Sequence, residues 1–265
     1  MASAKAWLLV GVLLAAAPPA ARVAVPGTAL DFETLPVPGV TGVRLARTEV
    51  PWELLDAFVH EKVDTPPAGA DAVARPSKPY ISMDRGFGHA GFPAISVNSD
   101  TAQAFCAWLS SRIGRPVRLP RVSELRAACG AAGDAVDTWH AGNSGARTRR
   151  VSAGKPDRNG FHDLRGNVAE WALDEAGKPV VWGGSFLDAA SEQGCDRVRR
   201  PDPEWNASDP QMPPSRWWLA DGSFIGFRVA VEEPSGDNAG ASAPAPETPG
   251  KETSDAPKPV PAAAP

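Results

Sequence analysis

The sequence predicts an α+β, loop-rich domain built from short helices and short strands. Three observations lead there. Glycine (25) and proline (28) are abundant among 265 residues, and nine tryptophans accompany them, a composition that favours turns over a helical bundle. Helical periodicity is confined to three short stretches, and strand-like runs are short and far apart.

The chain is 43% hydrophobic and 22% charged, the balance of one good-sized globular domain. A formal net charge of -4 gives no strongly basic face, so nucleic acid is not an expected partner. Residues 1–24 have the form of a signal peptide. Lys5 flanks the apolar run "AWLLVGVLLAAA" (Ala6 to Ala17), which is short for a bilayer span, and small residues from Ala15 to Ala24 suit a signal peptidase. An uncleaved anchor is the competing interpretation. No cysteine follows the run, against a bacterial lipoprotein. The expected location is secreted or periplasmic, with no stable membrane insertion after cleavage. Residues 233–265 have almost no large apolar side chain, and an acidic Pro/Ala-rich segment of that kind cannot offset the entropy of ordering. A disordered tail is expected there, which leaves 30–232 as the folded domain.

Within that domain, "PWELLDAFVHE" opens on Pro51, suited to a first helical turn, and carries Leu54, Leu55 and Phe58 on one side. "SDTAQAFCAWLSSRIG" has Ser99 or Asp100 as cap, repeats Ala102, Phe105, Cys106, Leu109 and Ile113 at helical spacing, and ends on Gly114. "RVSELRAACG" is a shorter helix with Leu125, Ala128 and Cys129 apolar and Gly130 as its stop. The strand candidates are "GVRLARTEV", "PAISV", "VVWGGSF" and "FIGFRVAVE". Long ordered connections between such pieces need pinning by a metal, a disulfide or packed tryptophans.

Three cysteines, Cys106, Cys129 and Cys195, leave at least one thiol free or paired with another chain. Cys106 and Cys129 fall on apolar helix faces, where core thiols are expected. A disulfide between them would require the two helices to pack closely. Cys195 lies beside Arg197, Arg199 and Arg200, which could lower its pKa. It is the candidate catalytic thiol, against the alternative of a free or disulfide-bonded loop cysteine.

Three segments in order carry a family resemblance: "GFPAISVNSDTAQAFCAWLSSRIGRPVRLPRVSELRAACGAAG", "KPDRNGFHDLRGNVAEWALDE", and the pair "VVWGGSFLD" and "FIGFRVAVE". Together they resemble the formylglycine-generating enzyme-like (sulfatase-modifying factor) domain superfamily over most of Val43 to Glu232. The resemblance implies a mixed fold distantly like C-type lectins, with little regular secondary structure. Fold membership does not settle chemistry.

The resemblance also implies sites. The family's calcium site maps onto the side chains of Asp163 and Glu170 and the main-chain carbonyls of Gly166 and Val168, a structural calcium held by hard oxygens. The alternative is a turn in which Asn167 and Glu170 bond only to backbone. The family's copper-dependent oxidases hold Cu(I) with two cysteines after the GGSF motif. Those positions are Asp188 and Gln193 here, and Cys195 is two residues out of register. Copper is therefore not expected, since Cu(I) needs soft thiolates. The four histidines, His60, His89, His140 and His162, show no close pairing of the kind an iron site needs. Two functions follow: a binding or scaffold module for an exported protein or glycan, or an oxidoreductase that modifies an exported protein.

Overall fold

The computed structural model describes residues 19–61, 76, 79, 81–132 and 138–234. The expected leader through residue 18 and the tail from residue 235 lie outside the described residues. The unit up to Glu233 holds every described α-helix and strand. In chain order these are β1 (Ala21–Ala24), β2 (Asp31–Pro36), β3 (Val43–Ala46), α1 (Trp52–Val59), α2 (Ser99–Ile113), β4 (Val117–Arg118), α3 (Val122–Ala131), β5 (Ala169–Leu173), β6 (Pro179–Trp182), β7 (Val198–Arg199), β8 (Ile225–Gly226) and β9 (Ala230–Glu232). One sheet runs β1-β2-β3-β9-β4 and the other β7-β6-β5-β8.

Ala21–Ala24, expected to belong to the leader, pair antiparallel with β2 from Ala21 opposite Thr34 to Ala24 opposite Asp31. The first sheet therefore starts upstream of residue 30, and a leader cut at Ala24 would remove its edge strand. Among the described residues no helix is long and apolar enough to cross a membrane.

The three expected helices are present. Pro51 sits just outside α1 as its N-cap, and Leu54, Leu55 and Phe58 are buried. The cap of α2 is Asn98, one residue before those expected, with its side chain accepting from the Ser99 amide at 2.6 Å. Gly114 ends α2 at φ 65°, the left-handed conformation glycine adopts without cost. Helix α3 runs through Gly130 to Ala131. Glycine costs a helix only about 1 kcal/mol relative to alanine, and packing of Leu125, Ala128 and Cys129 overrides that preference.

Two strand expectations differ. "PAISV" makes only isolated bridges at Pro93 and Val97, because Ser96 takes φ 59° and breaks the extended run. "FIGFRVAVE" divides into β8 in one sheet and β9 in the other. Phe227, Arg228 and Val229 cross between the sheets, and all three are buried.

Two apolar cores result. One gathers Phe58, Phe105, Leu109, Trp171 and Phe227 around α1 and α2. The other gathers Leu35, Leu45, Leu125, Trp182 and Ala230 beneath α3. Full burial of side chains of this size contributes about 1.5–3 kcal/mol each. Arg118 on β4 fastens the second core's rim. Its guanidinium meets Glu124 of α3 at 2.8 and 2.6 Å and Glu232 of β9 at 2.9 Å.

Cys129 at the end of α3 is joined to Cys195 by a disulfide with Cα atoms 5.7 Å apart. The Cys106–Cys129 alternative is thereby excluded, and Cys106 is a buried free thiol. The bond closes a sequence separation of 66 residues, and chain entropy predicts about 4 kcal/mol for a loop of that length. Unfolded but unreduced protein should titrate for one thiol per chain, and three after reduction. Reduction should lower the unfolding free energy in urea by roughly 2–4 kcal/mol; three thiols before reduction would contradict the pairing.

Candidate functional site

The segment 163–168 leads into β5 and carries most of the expected ligands. It is tightly wound: Asp163, Gly166 and Asn167 take φ of 53°, 87° and 56°. Glycine is required at 166 by close approach, since a Cβ there would lie 2.5 Å from both Gln193 Oε1 and the Trp139 carbonyl. Asn167, fully buried, is the hub of the turn. Its Oδ1 accepts from the Arg149 amide at 2.8 Å, its Nδ2 donates to Glu49 Oε1 at 3.0 Å, and its carbonyl accepts from the Phe186 amide at 2.8 Å.

Glu170 lies on β5 and is buried. It meets Arg228, whose Nε lies 2.9 and 2.7 Å from the two carboxylate oxygens and whose Nη2 lies 2.6 Å from Oε1. The same guanidinium donates to the carbonyls of Ala46 at 3.2 Å and His162 at 3.1 Å. Both side chains are essentially without solvent exposure. Glu170 therefore bonds to a side chain, which corrects the alternative of backbone-only bonding.

Around the pair lie two further buried carboxylates. Burial, followed by repulsion from Asp163, pushes the Glu49 carboxyl well above its ordinary range. Burial likewise pushes Asp163 from 3.8 to about 6, against the pull of Arg228, and raises Glu170. Glu49 Oε2 and Asp163 Oδ2 are buried without a hydrogen-bond partner among the described residues.

Calcium takes six to eight oxygens. A cage of the expected kind would draw on Asp163, whose Oδ2 has no hydrogen-bond partner among the described residues, on the carbonyls of Gly166 and Val168, and on Glu170, whose two oxygens are bonded to Arg228.

The copper positions are likewise filled by internal bonding. Asp188 Oδ2 accepts from the Ser185 amide and hydroxyl, both at 2.7 Å, and Oδ1 accepts from Arg197 Nη2 at 2.8 Å. Arg199 stands 3.9 Å from the same carboxylate and lies over the Phe224 ring at 5.0 Å. Gln193 is buried and donates from Nε2 to the carbonyls of Trp139 and Ser185 at 3.0 and 2.9 Å. Gly184 makes room for it, since a Cβ there would be 2.9 Å from Gln193 Cγ. Carboxylate and amide donors do not suit Cu(I). Cys195, the candidate catalytic thiol, is corrected: its sulfur is bonded to Cys129 and cannot act as a thiolate. Trp171 is a core residue as expected, with Nε1 donating to the Val97 carbonyl at 2.7 Å.

Sequence reasoning missed Glu49 and Arg228. Arg228 inside the apolar-leaning run "FIGFRVAVE" was an available signal, because a charge at a core position needs a partner, whereas Glu49 stands in "GVRLARTEV" with Arg44 and Arg47 and nothing local singles it out. It also missed that His60 and His89 approach one residue, Asp56, at 3.8 and 2.7 Å.

The raised Asp163 pKa fixes a pH dependence. The folded chain binds more protons than the unfolded chain between about pH 4 and pH 6, so stability falls as pH rises through that window and the cost is complete above it. Asp163→Asn keeps a residue that tolerates the left-handed backbone and removes the charge facing Glu49. Urea unfolding should show the variant more stable than the parent at pH 7, by on the order of 1 kcal/mol or more, and flatter between pH 4 and 6. Destabilisation at pH 7, as expected for loss of a metal ligand, would contradict this.

Comparison with known proteins agrees with this architecture. Residues 38–233 match the family model described as the sulfatase-modifying factor enzyme 1-like domain. The solved structure of Treponema denticola variable protein 1 is similar with a TM-score of 0.57 at 18% identity, covering 82% of this chain and 100% of that one. PvdO from Pseudomonas aeruginosa is similar with a TM-score of 0.52 at 19% identity, covering 81% of this chain and 92% of that one. At such identities the likeness is one of fold. No curated protein sequence matches the chain. With its two sheets, its GGSF turn and its GNVAEW strand within the matched region, the chain belongs to the sulfatase-modifying factor enzyme 1-like domain family.

Proposed function

We propose that this chain is an exported member of the family that acts as a binding or scaffold module for a protein or glycan partner, without copper-dependent cysteine oxidation. One observation carries this reading: no cysteine is available as a thiolate. Asp188 and Gln193 occupy the family's thiol positions and are bonded inward. Cys195 is in a disulfide, and burial pushes the Cys106 thiol up, away from ionisation. A fold that hosts oxidases then serves as a frame, its loops pinned where catalysis would need an open ligand position.

Export is supported by the disulfide, since such bonds persist in oxidising compartments. Strand β1 further favours a leader that ends before Ala21, because cleavage at Ala24 would take away a strand paired along its whole length. The mass of the protein recovered from its natural compartment should place its first residue at or upstream of Ala21.

The competing function, an oxidoreductase modifying an exported protein, is separated by one experiment. The purified chain should show no stoichiometric Cu(I) binding against a competing chelator, and no oxygen consumption with a cysteine-containing peptide. Stoichiometric copper with turnover would overturn the proposal in favour of the oxidase.

A further inference from the structure

We propose that the cleft between α1 and residues 81–89 is a binding site for an organic cation, a protonated amine carried on an apolar body. The cleft is distinct from the 183–199 loop, and its binding does not depend on whether that loop does chemistry.

Its volume is about 380 Å³, at the lower end of the range of about 300–1,000 Å³ typical of small-molecule sites. Trp52, Val59, Ile81 and Met83 form apolar walls. Asp56 and Asp84 supply carboxylates, and neither lysine nor arginine lines the cleft among the described residues. Between the carboxylates stands His89, with Nε2 2.7 Å from Asp56 Oδ2 and Nδ1 3.1 Å from Asp84 Oδ2. Two ring nitrogens facing two carboxylates are both satisfied only when both carry protons. The trio then holds two negative charges and one positive, a net charge of about -1 beside an apolar wall. His60, mostly exposed, stays 3.8 Å from Asp56, beyond hydrogen-bond distance.

The acidic lip is built rather than incidental. Asp84 Oδ1 is fixed by the Ser82 hydroxyl at 2.7 Å and the Gly86 amide at 2.9 Å. Arg85, at φ 56°, anchors the same turn to the carbonyls of Leu219 and Ala220. The His89 ring stacks on Trp52 with centroids 5.0 Å apart, which holds the imidazole in line with both aspartates. Trp52 is only 4% exposed, so its indole forms a fixed apolar wall beneath the imidazole. Ile81 is 44% exposed, so one apolar wall remains open to an arriving group. An ammonium on an aliphatic or aromatic stem satisfies both features: its charge meets the carboxylates and its body covers the apolar wall.

The test is calorimetric titration of the full chain with phenethylammonium, with 3-phenylpropionate as the anionic counterpart of similar shape. Phenethylammonium should bind one to one, and the carboxylate at least tenfold more weakly. Asp84→Asn, which keeps the Oδ1 contacts, should weaken the amine several-fold. Ile81→Lys places a resident ammonium at an exposed position and should abolish amine binding with the thermal midpoint unchanged, which keeps the test valid if the aspartate variant folds poorly. A blocked Ala-Lys-Ala peptide separates the sources. Binding at least as tight as that of the free amine assigns the cation to a peptide side chain, and weaker binding assigns it to a small molecule. Equal binding of the amine and the acid, binding of neither, or undiminished amine binding by Ile81→Lys would overturn the proposal.

Discussion

The Arg228–Glu170 pair is the constraint around which the two sheets are arranged. Arg228 lies on the three-residue crossing between β8 and β9, which belong to different sheets. Its guanidinium reaches Glu170 on β5, the carbonyl of Ala46 on β3 and the carbonyl of His162 at the entrance to the wound turn. A buried charge is tolerated only when paired and hydrogen-bonded, so placing Arg228 correctly also fixes what surrounds it. Glu49 and Asp163 then share one neighbourhood with a single cation, and burial resolves the excess negative charge by raising their pKa values.

That arrangement bears on function through the side chains it engages. Glu170, in the motif that implies calcium, is bonded to a guanidinium. Where the resemblance implies a thiolate pair, an aspartate and a glutamine are bonded into the loop they stabilise. The loops between the sheets remain ordered because Asn167, Asp188, Gln193 and the Cys129–Cys195 bond pin them. A shared fold does not by itself settle chemistry, which rests on a handful of side chains.

Much of the fold was legible in the sequence. The apolar spacing of Leu54, Leu55 and Phe58, and of Ala102, Phe105, Cys106 and Leu109, reports local periodicity, and these side chains are buried as expected. Gly114 marks the end of α2 because only its local backbone decides the matter. What was not legible is long-range. Cys129 and Cys195 are 66 residues apart, and nothing local distinguishes that pairing from Cys106 with Cys129. His89 and Asp56 are brought together by the approach of a loop to a helix, which no spacing encodes. Glu170 stood in the motif that suggested calcium, but its partner Arg228 lies 58 positions later. Replacement of the thiols at 188 and 193 was readable directly, because residue identity alone decides whether a soft donor is present.

The central claim is that Arg228 supplies the cation that Glu170 requires. Its most direct test is urea unfolding of Arg228→Met, alone and combined with Glu170→Gln, at pH 7. Removing one partner of a buried pair costs about 3–5 kcal/mol, whereas replacing both costs far less. The account predicts a loss of that size for the single variant and substantial recovery in the double variant. A single variant within about 1 kcal/mol of the parent, well under the cost of an unpaired buried charge, or a double variant no more stable than the single, would contradict it.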